Sequence, residues 1–119
     1  MVVVVDNDPG VRDSAVFLLE SAGYRATAFS SAAAFLADRV VRPACLIVDH
    51  DMPEMTGLRL AERLRREGVA LPILLIAEAP KSTLLLDAAQ CGIYAVLMKP
   101  PDPDDLLKFV EACLGPGGR

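Results

Sequence analysis

Five short, strongly apolar runs alternate with amphipathic stretches along the whole chain, and this alternation limits the possible folds more than any other feature. The runs are Val2 to Val5, Tyr24 to Phe29, Ala44 to Val48, Ile73 to Ala77 and Ala95 to Met98. Strands buried on both faces read in this way, and parallel strands need crossover helices between them. The pattern predicts an α/β chain of (βα)5 form around a doubly wound, five-stranded parallel sheet. At 119 residues, 53% of them hydrophobic, the chain has the length and apolar content for one domain with one core.

Helix punctuation fills the gaps between the runs. Asp8 before Pro9 reads as an N-cap with proline at the first helical position, and Val11, Ala15, Leu18 and Leu19 follow at helical spacing until Gly23. Asp102 and Pro103 repeat the device before Leu106, Leu107, Val110 and Leu114. Thr56 reads as the cap of a helix carrying Leu58, Ala61 and Leu64 inward, with Arg59, Arg63, Arg65 and Arg66 on a solvated face. Segments 30–38 and 82–90 supply the other two helices. The domain is expected to span residues 1–114, with the glycine-rich stretch 115–119 as a linker or tail.

Charge and cysteine usage remove several function classes. A formal net charge of -4 is the wrong sign for wrapping a polyanion, so this segment is not expected to bind nucleic acid directly. No apolar run approaches the roughly 20 residues that span a bilayer, and Met1 leads into Val2 without a basic leader. The chain is therefore expected to be cytoplasmic and to make no membrane contact. Cys45, Cys91 and Cys113 are odd in number and lack a Cys-x-x-Cys pair, which points to reduced core thiols rather than a disulfide framework or a zinc site.

Open doubly wound sheets place their sites at the carboxyl ends of strands. There the chain carries Asp6, Asn7 and Asp8 after the first strand, then Asp49, His50 and Asp51 with Glu54 after the third, and Lys99 with Pro100 after the fifth. Crowded carboxylates repel one another unless a hard cation neutralises them, and an oxygen-only ligand set suits Mg²⁺. With an ammonium added, the set suits phosphoryl transfer to a carboxylate, the two cations dispersing charge on the phosphoryl oxygens. Asp49 is the best nucleophile, because Leu46, Ile47 and Val48 form the buried strand beneath it. His50, the one histidine, reads as a partly exposed strand-end residue; nothing beside it marks it as a general base.

The segments Val-Asp-Asn-Asp-Pro at 5–9, Ile-Val-Asp-His-Asp-Met-Pro-Glu-Met-Thr-Gly at 47–57 and Met-Lys-Pro at 98–100 resemble the receiver domain of two-component response regulators. The resemblance runs over essentially the whole chain and is closest to receivers joined to a helix-turn-helix output domain, such as those of nitrogen-fixation regulators. It implies the flavodoxin-like receiver fold with sheet order 2-1-3-4-5. It also implies that Asp49 accepts a phosphoryl group from a histidine kinase, that Asp6 and Asp49 ligate Mg²⁺ with the backbone carbonyl of Asp51, and that Lys99 contacts the phosphoryl group. The family's Lys-Pro bond is cis, which is implied for Lys99 and Pro100. Receivers often pair through their last two helices and last strand, where Leu84, Leu85, Leu86 and Phe109 offer apolar material for a homodimer, although helix cores draw on the same residues.

Four positions depart from the family pattern. Asn7 stands where a second acidic residue is usual; its amide oxygen still coordinates Mg²⁺, with one charge fewer. Ala77 replaces the hydroxyl residue that bonds the phosphoryl oxygen. Glu78 sets a carboxylate where a small residue usually leaves room for the phosphodonor. Val96 replaces the aromatic switch residue, and Tyr94 lies two residues earlier, on the same face by strand alternation. These departures support a rival reading, a degenerate receiver acting as a phosphorylation-independent interaction module. Residues 49–51 also have the Asp-x-Asp spacing of haloacid-dehalogenase-type phosphatases, but those enzymes carry it on their first strand and need more chain. A flavodoxin would need a loop after the first strand that welcomes the FMN phosphate, and here that loop is acidic.

Overall fold

The apolar runs and the capped segments between them become five strands and five helices in strict alternation. The structure, a computed structural model, describes residues 1–117. In chain order the elements are β1 (Val2–Val5), α1 (Pro9–Ser21), β2 (Ala26–Phe29), α2 (Ala32–Ala37), β3 (Cys45–Asp49), α3 (Gly57–Arg66), β4 (Ile73–Ala77), α4 (Ser82–Gln90), β5 (Ala95–Met98) and α5 (Pro103–Leu114). All strand pairs are parallel, as the apolar runs predicted, and the sheet order is β2-β1-β3-β4-β5, as the resemblance implied. Of the expected tail at 115–119, Gly118 and Arg119 lie outside the described residues.

Strand and helix ends differ by a few residues from the sequence reading. Strand β2 begins at Ala26 rather than Tyr24, and Asp49 belongs to β3 itself. Asp8 caps α1 through its side chain, which accepts the N–H groups of Gly10 at 2.8 Å and Val11 at 3.3 Å. Asp102 and Thr56 cap α5 and α3 in the same manner.

Two apolar layers sandwich the sheet. Phe35, Leu60 and Leu64 from α2 and α3 pack on one face with Val3, Val5, Leu46, Val48 and Leu75, while Leu19, Leu106 and Phe109 from α1 and α5 cover Val2, Val4, Ile47 and Ile76 on the other. The inward face of α3 is Gly57, Leu60, Ala61 and Leu64, so Leu60 takes the place foreseen for Leu58, which is only half-buried. The i, i+3, i+4, i+7 set fixes the helix phase, and Leu58 falls at its edge. Arg65 is not solvated as expected: its guanidinium donates to the carbonyls of Cys91 at 2.7 Å, Val69 at 2.9 Å and Gly92 at 3.3 Å.

All three cysteines are free thiols, but only Cys45 is fully buried. Burial, reinforced by the neighbouring Cys113, pushes the Cys45 thiol up to about 12. Phe109 is 1% exposed and belongs to the core, so it offers nothing to a partner. Leu84 packs against the opposite core layer, leaving Leu85, Leu86, Tyr94 and Met98 as the exposed apolar side chains beside β5.

Phe109 also meets Tyr94 edge to face, with ring centroids 5.0 Å apart. Tyr94 therefore packs on the α1/α5 side, whereas Val96 packs with the opposite layer. Tyr94 precedes the first residue of β5, although its N–H still donates to the Ile73 carbonyl of β4 at 2.8 Å, and its ring does not follow the alternation counted from Val96. Truncating Phe109 to alanine should cost about 3–5 kcal/mol, a large share of the roughly 5–15 kcal/mol that holds a domain together. The check is the urea midpoint of Phe109→Ala against the parent chain.

Candidate functional site

Parallel register delivers the site residues to one edge. Val5 pairs with Val48, so the next residues on β1 and β3, Asp6 and Asp49, emerge side by side at the carboxyl end of the sheet. Beneath them the strands are apolar and sealed, and Asp49 is 2% exposed while Asp6 is 8% exposed. The Lys99 ammonium reaches across from the end of β5 and lies 2.7 Å from Asp49 Oδ1 and 3.2 Å from Asp51 Oδ2. The Lys99-Pro100 bond is cis, as the resemblance implied.

Backbone donors fix the two buried acids. Asp6 Oδ1 accepts the Asp8 N–H at 2.9 Å, and Asp49 Oδ1 accepts the Asp51 N–H at 2.9 Å. The Arg12 guanidinium donates to the Asp6 carbonyl at 2.7 Å, tying α1 to the end of β1. Burial is the largest influence on the Asp6 carboxyl and pushes it above the usual carboxylate range, with repulsion from Asp49 adding to the effect. Partial burial acts upward on Asp51, but the Glu78 N–H and Lys99 outweigh it and hold that carboxyl below its ordinary value. For Lys99, partial burial acts downward and is overcome by the bonds to Asp49 and Asp51, so its ammonium is retained to higher pH than usual.

A cleft of about 350 Å³ opens over these groups, lined by Asp6, Asn7, Asp49, Asp51, Glu78 and Lys99 and by apolar residues of α1 and α5. Asn7 sits exposed on its rim. Ala77 ends β4 with its methyl buried; Glu78, next along, is exposed, and its N–H donates to Asp51 Oδ2 at 2.7 Å. Glu54, with a φ of 70°, lies in the β3–α3 loop and does not line the cleft. His50 serves the loop as well, its Nδ1 accepting the Leu58 N–H at 3.3 Å.

The donor set fits Mg²⁺: two adjacent carboxylates, with oxygen ligands in reach and an open cleft for the waters that this ion retains. Among the described residues no group of three or more His, Cys, Asp or Glu side chains is placed to hold a metal ion by itself. The sequence reading missed the Asp51 side chain, which it credited only with a carbonyl. Its bonds run to residues 78 and 99, and no local pattern reports contacts so far along the chain.

Sheet order, paired acids and the strand-end lysine together define an α/β receiver module. The family model of the response regulator receiver domain matches residues 2–111, and the chain belongs to that family, the receivers of two-component response regulators. It is 36% identical over 113 residues to the transcriptional regulatory protein FixJ of Azorhizobium caulinodans, a match covering 94% of this chain and 54% of that protein. The crystal structure of FixJ-N superposes with a TM-score of 0.83 at 28% identity, covering 94% of this chain and 90% of that one. The chemotaxis response regulator CheY4 of Vibrio cholerae gives 0.83 at 27% identity over 95% and 97% of the two chains. The chain spans about half the length of the curated relatives it matches. Among the described residues no helix is long and apolar enough to cross a membrane.

Two predictions arise from this geometry. A Cβ on Gly57 would meet the Asp49 carbonyl oxygen at 2.8 Å and Leu75 Cδ1 at 2.6 Å, so Gly57→Ala should cost about 1–3 kcal/mol, read from denaturant unfolding. Asp6 binds its proton more tightly folded than unfolded, so its contribution favours the fold below the unfolded value and is lost as pH rises through the folded one. In chelator, Asp6→Asn should thus raise the thermal midpoint at neutral pH and give no gain near pH 3. An equal effect at both pH values would contradict this account.

Proposed function

We propose that the chain is a phosphorelay receiver whose Asp49 takes a phosphoryl group from a histidine kinase and thereby regulates an output domain or partner protein. The observation that carries the reading is the Lys99 ammonium 2.7 Å from the Asp49 carboxylate, beside Asp6 at the mouth of an open cleft. An Asp49 oxygen attacks the phosphorus of a phosphohistidine; the new P–O bond forms as the P–N bond breaks, and the imidazole leaves and takes a proton. Lys99 holds charge on a phosphoryl oxygen. Asp6, Asp49, the Asp51 carbonyl and the Asn7 amide oxygen would hold Mg²⁺, which supplies further neutralisation of the transferring group.

The chain is in this reading an acceptor rather than a turnover enzyme, with slow loss of its own phosphoryl group as its single reaction. Residues 1–114 form the receiver unit, and 115–119 begin a connection to an output domain, possession of which is supported by relatives roughly twice as long. A DNA-binding helix-turn-helix is the output class favoured by the likeness to a transcriptional regulatory protein. The receiver itself, at a net charge of -4, makes no nucleic-acid contact. A cytoplasmic location follows from dependence on a kinase phosphohistidine. The exposed Leu85, Leu86, Tyr94 and Met98 support a homodimer through α4 and β5.

A second reading, a degenerate receiver used as a binding module, is favoured by the methyl of Ala77 and by Val96 at the switch positions and by Glu78 at the phosphodonor's approach. Intact mass after incubation with a small phosphodonor and Mg²⁺ decides between them. The phosphoacceptor reading expects a single phosphoryl adduct, absent from Asp49→Asn and from a magnesium-free control. No adduct on the parent chain, with one appearing in Ala77→Thr/Glu78→Ala, would select the binding module.

A further inference from the structure

Asp51 follows the acceptor strand by two residues, and its side chain leaves that strand altogether. Its N–H is turned back onto Asp49 Oδ1 at 2.9 Å, which directs the carboxylate across to β4 and β5. There Oδ2 takes two donors, the Glu78 N–H at 2.7 Å and the Lys99 ammonium at 3.2 Å. Both are charge-assisted bonds, the strong kind, and the shorter one ends on a backbone amide that cannot turn elsewhere.

These donors border the space above Asp49. Asp49 pairs with Ile76 in the sheet, so the Glu78 amide lies just beyond that pairing on the neighbouring strand, and Lys99 already touches Asp49. A phosphoryl group on Asp49 brings anionic oxygens that need such donors, while Ala77 has no hydroxyl to add another. We propose that the Asp51 carboxylate stands in for phosphoryl oxygens in the resting chain, and must be displaced before a group on Asp49 can bond Glu78 N–H and Lys99.

This rests on the phosphoacceptor reading and deepens it. Asp51 is a positioning residue: it holds the donors in order and competes for them. Two consequences follow. Like charge at Asp51 opposes the incoming group, slowing transfer. Donors already satisfied before phosphorylation also contribute less difference between the two states, which limits the population shift that phosphorylation can drive.

The test compares the parent chain with Asp51→Ala and Asp51→Asn at Mg²⁺ concentrations that saturate each, following phosphoryl adduct by intact mass over time. Removing the carboxylate should speed adduct formation on the order of tenfold, the factor that corresponds to one charge-assisted hydrogen bond. Asp51→Asn, which keeps the shape and a neutral acceptor, should fall between. Without phosphodonor, the Glu78 amide proton should move upfield in the ¹H–¹⁵N spectrum of Asp51→Ala, and general damage to the fold would not produce a faster reaction. Equal or slower adduct formation in Asp51→Ala, or an unmoved Glu78 amide, overturns the competition and leaves the phosphoacceptor reading standing. No adduct on any of the three chains overturns both.

Discussion

The contact between Lys99 and Asp49 is the interaction on which the rest of the site depends. Asp49 crowns a strand whose residues are at most 4% exposed, so its charge has almost no access to water. A buried carboxylate is tolerated only when paired and hydrogen-bonded, and here one ammonium and one backbone N–H meet that need. The sheet supplies the pairing by geometry. Parallel strands end on one edge, the register sets Asp6 beside Asp49, and β5 brings its lysine from two strands away.

Much of this was legible because it repeats locally. Apolar runs named all five strands, the Asp-Pro pairs named the starts of α1 and α5, and strand-end acids marked the edge where chemistry belongs. What escaped the sequence depended on contacts between distant segments. Leu60 rather than Leu58 faces inward because a helix's phase is settled by what it packs against. Arg65 looked like any solvated arginine until the end of α4 brought two carbonyls to it, beside a third from Val69 in its own following loop. Tyr94 sits just before β5 and turns its ring to Phe109, 15 positions along the chain, and Asp51 bonds a partner 27 positions away.

Apolar side chains occupy the strand ends next to the site on β4 and β5. Ala77 seals the end of β4 with a methyl, and Val96 joins the apolar layer that Leu84 of α4 also packs against. The Tyr94 ring, just before β5, packs edge to face on Phe109 of α5. Polar contacts at the site therefore converge on backbone amides and Lys99, and the β4–α4 loop is reached through the Glu78 peptide.

That loop leads into a helix anchored unevenly. The carboxyl end of α4 runs into Cys91 and Gly92, whose carbonyls are gripped by Arg65, whereas its first turn begins at Lys81 with no side-chain cap. Uncapped first turns leave amide groups to water and open at low cost. The two ends of α4 are thus held differently: Arg65 fastens the carboxyl end to α3, while the end that follows the Glu78 peptide beside the acidic cleft has no side-chain cap.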